Sequence, residues 1–76
     1  MPARLRDIDR VLHSFGGHVE ESGGKHNYKA RMPGKRVYPI PSHRGWHTDV
    51  PDKYVDGLCR TFEIDKSDFW RRLQSK

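Results

Sequence analysis

The stretch Gly23-Gly24-Lys25-His26-Asn27-Tyr28-Lys29-Ala30-Arg31-Met32 sets one imidazole behind two glycines and among cations. An imidazole has an unperturbed pKa of about 6.5, so both its forms are available near neutral pH. RNA can be cut without a metal when its own 2′-hydroxyl attacks the adjacent phosphate. One group must take the hydroxyl proton, and another must protonate the departing 5′-oxygen. Such proton transfers are typically worth about 10²–10⁴-fold in rate. His26 is the candidate acid/base. Lys25, Lys29, Arg31 and Arg36 are candidates to stabilise the charge that builds on the phosphate. Lys35 and Arg44 join them as cations for RNA binding, and Gly24 lets the backbone approach closely. The plainer alternative is a half-buried hairpin strand with a solvated basic face.

One imidazole leaves one proton-transfer role open. His43 can fill it if the exit of the following strand lies beside the entrance of this one, as in an antiparallel pair. His43 and His47 are four residues apart, but they flank Gly45 in a loop and have no cysteine or acid at a zinc-site spacing. No metal site and no cofactor are expected.

These residues belong to a chain of 76, enough for one small domain over residues 1–76. Only 33% of it is apolar, so the core is thin and a partner can matter for stability. Its single cysteine, Cys59, excludes an internal disulfide and fits a reducing compartment. No apolar run approaches the roughly 20 residues that span a bilayer. The opening Met1–Asp7 lacks the apolar core of a signal peptide. The expectation is a soluble, cytoplasmic protein with no membrane partner.

The net charge of +5 is concentrated. Residues 1–21 hold three Lys/Arg and four Asp/Glu. Residues 22–48 hold six Lys/Arg and no acid, and residues 49–76 hold six of each. A single-sign block makes a local positive field, and nucleic acid is its commonest partner. The alternative is a merely basic surface.

The elements that must position this block follow from periodicity. Leu5, Ile8, Val11, Leu12 and Phe15 predict an amphipathic helix ended by Gly16-Gly17. His18–Ser22 reads as a first strand, the His26 stretch as a second, and Arg36–Pro41 as a third. Pro33-Gly34 turns between the last two. Pro39 cannot donate to a ladder and argues for an edge strand. Residues 42–50 read as an irregular loop, with Trp46 either sealing the core or offering a base a stacking platform. Asp49 and Asp52 are expected to cap the next helix, with Pro51 in its first turn and Tyr54, Val55, Leu58, Cys59 and Phe62 as its stripe. Gly57 in that helix implies close packing, and Cys59 in the stripe reads as core. Asp65 is expected to cap a short last helix, stapled by Ile64 and Phe69. The class is α+β, α-β-β-β-α with a short extra C-terminal helix and a three-stranded antiparallel sheet, helices on one face.

This order, with Gly24-Lys25-His26 opening the middle strand, resembles the HicA family of type II toxins. The resemblance runs from about Val11 to Phe69. Val11-Leu12-His13-Ser14-Phe15-Gly16-Gly17 is similar to the end of the family's first helix. Gly24-Lys25-His26-Asn27-Tyr28 matches its Gly-x-His signature and following aromatic. Tyr38-Pro39-Ile40-Pro41-Ser42-His43 resembles its strand ending in Pro-x-His, and Leu58 through Phe69 its C-terminal helix. The resemblance implies a double-stranded-RNA-binding-like fold and an mRNA endonuclease (mRNA interferase) that inhibits translation. It also implies a cognate HicB-type antitoxin, the toxin being monomeric when free and hetero-oligomeric with the antitoxin. The family's catalytic histidine carries over onto His26 alone. Lys25 replaces a serine common in the family and adds charge at the phosphate. Asn27 replaces a common second histidine and removes a proton-transfer group. Two other classes stay open: a non-catalytic RNA- or DNA-binding module, and a protein-interaction module for an acidic partner.

Overall fold

The computed structural model describes residues 3–21, 27–42 and 44–75. The elements are β1 (Ala3–Arg4), α1 (Leu5–Ser14), β2 (His18–Glu21), β3 (Asn27–Arg31), β4 (Tyr38–Pro41), a 3₁₀ turn at Gly45–His47, β5 (Asp49–Val50), α2 (Asp52–Phe62) and α3 (Lys66–Gln74). The result is α+β, with a three-stranded antiparallel sheet of order β2-β3-β4.

Helix α1 forms because Leu5, Ile8, Val11 and Leu12 make one buried stripe. It ends where Gly16 turns left-handed at φ +91, and the Gly17 amide returns to the Leu12 carbonyl at 2.9 Å. Gly17 is needed for another reason. A β-carbon there would come within 2.5 Å of the Arg31 carbonyl, so only glycine lets the helix exit pass the end of β3.

Alternation then decides the two sheet faces. Val19, Tyr28, Ala30 and Ile40 are buried and join Leu5, Ile8, Leu12, Val55, Leu58, Phe62 and Phe69 in one core. Helices α1 and α2 pack on this side, and α3 packs against both. Among the described residues nothing covers the opposite face. β4 is an edge strand, as Pro39 required. It is shorter than expected, because Arg36 and Val37 belong to the loop before it.

Two expectations fail. Residues 42–50 are not wholly irregular: beyond the 3₁₀ turn, Asp49 and Val50 pair antiparallel with Arg4 and Ala3. Two-residue strands carry no periodicity, so only the fold reveals them. Asp49 is therefore a strand residue and caps nothing. Pro51 itself occupies the N-cap position of α2, where it has no side-chain acceptor to offer the helix. The last helix does follow its expected chemistry. Asp65 accepts from the Ser67 amide at 3.1 Å, and Ile64 and Phe69 both pack into the core.

Gly57 faces the Tyr38 side chain, and a β-carbon there would overlap its hydroxyl. This glycine is how α2 comes close to β4. Cys59 is buried, and burial pushes its thiol up to about 11. It is a core group, since a nucleophilic cysteine needs an accessible thiolate.

Candidate nucleic-acid interface

Four residues at the centre of the expected site, Gly24, Lys25, His26 and His43, lie outside the described residues. Their described neighbours are positioned by the sheet. Asn27, which follows His26, is the register partner of Pro41, two residues before His43. The start of β3 and the exit of β4 are therefore adjacent, the arrangement that a shared His26 and His43 site requires.

The loop leaving β4 is held from inside. Ser42 is fully buried, and its hydroxyl donates to the Gly45 carbonyl at 2.9 Å. Ser42 Oγ and Thr48 Oγ1 are 2.6 Å apart, and the Arg44 amide donates to Thr48 Oγ1 at 2.8 Å. The donated Ser42 proton goes to the carbonyl, so Thr48 supplies the proton between the two hydroxyls. The Leu5 amide then takes the Thr48 carbonyl at 2.9 Å. This network pins the backbone on both sides of residue 43 and leaves the Arg44 side chain exposed. Gly45 makes the bend at φ +61, under the Tyr28 hydroxyl. Trp46 packs against the core with its ring edge-on to Tyr28, centroids 5.0 Å apart. That is the sealing role; its contact with Tyr28 takes up an edge-to-face partner.

The five described cations of the central third do not act together. Lys29 lies half-buried on the uncovered face, and no described carboxylate pairs with it. Arg31 is on the same face, with Nε 2.8 Å from Glu20 Oε1. Lys35 donates to the Glu63 carboxylate, which stands on a left-handed residue at φ 57 closing α2. Arg36 and Arg44 are exposed and make no ion pair among the described residues. The local charge is thus lower than the sequence implied, because acids from both flanking thirds fold onto Arg31 and Lys35.

The hydrogen bond from His18 holds the Glu20 carboxyl below its ordinary value of 4.5, and Arg31 adds to the effect against the opposing cost of burial. His18 and Glu20 are site-face residues that the charge count passed over. Period-two alternation from Val19 places both on the uncovered face, and that signal was available. Their meeting with Arg31 was not, since it needs the β2–β3 register of His18 with Arg31.

No helix among the described residues is long and apolar enough to cross a membrane. Comparison of the chain with protein-family models, with curated proteins and with solved structures returns no match.

Proposed function

We propose that this chain is a metal-independent endoribonuclease of the HicA-like toxin type, with a double-stranded-RNA-binding-like arrangement of its sheet and helices. His26 is its acid/base, and His43 is the candidate second group. Its substrate is mRNA, and a cognate HicB-type antitoxin restrains it in the cytoplasm, the free toxin being a monomer. The observation that carries this reading is the pairing of Asn27 with Pro41 beside the pinned Arg44 loop. It supports a strand entrance and a loop converging on one phosphate, with Lys29 and Arg44 available for the RNA backbone.

The competing reading is a non-catalytic RNA-binding module. The unpaired Lys29 on an open sheet face serves binding as well as cleavage. Incubating pure protein with RNA in EDTA separates the two. The proposal expects chain cleavage that persists in EDTA and falls at least a hundredfold in His26→Ala, the lower range for a lost acid/base. Uncut RNA, or full activity in that variant, overturns the nuclease assignment.

A further inference from the structure

The end of the sheet away from the β3 entrance carries a groove of about 280 Å³, lined by His18, Arg31, Met32, Pro33, Lys35 and Val37, with Gly16 at its margin. Val37 is the exposed large hydrophobic residue among those described, at 36%. Below the roughly 300–1,000 Å³ of pockets for drug-sized ligands, such a groove suits a group the size of one nucleobase.

Its rim is built by a single carboxylate oxygen. Glu20 Oε1 accepts from His18 Nε2 at 2.9 Å and lies 2.8 Å from Arg31 Nε. A carboxylate only accepts, so the imidazole proton is on Nε2. One oxygen thereby restrains two flat groups on neighbouring strands. The Nη groups of Arg31 bond no described residue. Bases stack on histidine rings and on guanidinium planes as they do on other aromatics. Trp46, the platform the sequence offered, is engaged with Tyr28.

We propose that this groove is a nucleobase subsite for single-stranded RNA: one base stacks on the His18 and Arg31 planes and rests on Met32, Pro33 and Val37. The proposal rests on the RNA reading above and extends it to residues that reading does not use. Charge decides between an RNA and an acidic peptide as occupant. Arg31 and Lys35 are already answered by Glu20 and Glu63, which leaves little for a peptide's carboxylates. Among the described residues, two cations without an ion pair flank the groove, Lys29 on the same face and Arg36 between two groove residues, and these serve the phosphates on either side of a base.

The test uses the full chain and a labelled 2′-O-methyl oligoadenylate, which cannot be cut through its blocked 2′-oxygen, beside an abasic ribose-phosphate oligomer of equal length. Wild-type protein binds the oligoadenylate more tightly. His18→Ala and Val37→Ser, both at exposed positions, each weaken that binding on the order of tenfold. They leave its salt dependence and the abasic affinity unchanged. Lys29→Ala lowers the salt slope by about one on both probes. Equal wild-type affinity for the two oligomers overturns the subsite. So does tight oligoadenylate binding by the His18 and Val37 variants, or Met32 and Val37 methyl shifts caused by an Asp/Leu peptide and not by AMP. In each of those results RNA binding itself survives. Wild-type protein that binds neither oligomer overturns the RNA reading, and the subsite with it.

Discussion

The Nε of Arg31 lies 2.8 Å from Glu20 Oε1, across the seam between β3 and β2. A cation from a stretch without acids is met by an acid from the preceding third of the chain. The same oxygen holds His18, so one carboxylate orders two groups on the uncovered face.

Glu20 should titrate below 4.5 in the folded protein, and His18→Ala should raise its value more than Arg31→Gln does, because the His18 hydrogen bond is the largest cause. The carboxylate's folded pKa is depressed. Its contribution to stability is therefore present above about pH 4.5 and lost as pH falls through the lowered value. All three side chains are half exposed, so that contribution is small. Side-chain carboxyl NMR through an acid titration checks the value. An unshifted Glu20 rejects the network.

Thr48→Val should cost about 1–3 kcal/mol, because it leaves the Arg44 amide without its acceptor and removes the donor to the buried Ser42 oxygen, which keeps only its bond to the Gly45 carbonyl. Thr48→Ser keeps the hydroxyl and should lose only about 0.8 kcal/mol for the missing methyl. Urea denaturation gives both numbers. Hydrogen exchange at the Arg44 amide should accelerate in the valine variant alone.

Gly57→Ala should fail to deliver the stabilisation that helix propensity offers at its position, because the Tyr38 ring must move aside. Alanine gains about 1 kcal/mol over glycine inside a helix. Its β-carbon meets the Tyr38 hydroxyl, and overpacking costs about 1–3 kcal/mol. Most of that cost should vanish in a Tyr38→Phe background, where the overlapping oxygen is gone. A double-mutant cycle by denaturation measures the coupling, and additive effects would contradict the contact.

Much of the frame was legible because its signals are local. Leu5, Ile8, Val11 and Leu12 announce α1 by spacing, Asp65 announces the start of α3, and Pro39 announces an edge. The meander order followed from short turns. The neighbourhood of the candidate site was also legible, since antiparallel pairing forces the exit of one strand beside the entrance of its neighbour. The groove was not, because Gly16 comes from the turn after α1, and Met32 and Val37 from opposite ends of the β3–β4 loop. Nor was the helix start at Pro51, where Asp49 was drawn into a strand by residues near the other end of the chain.

The sequence by itself determined the three helices, the three-stranded meander and the sidedness of its strands, because periodicity and turn residues act within a few positions; it did not reveal the short β1–β5 pair. It also determined that every excess cation lies between residues 22 and 48. Only the tertiary structure decided which of those cations stay uncompensated. Register brought Glu20 to Arg31, and packing brought Glu63 to Lys35 across 28 residues. The interaction of two charges depends on their separation in space, and separation along the chain does not specify it.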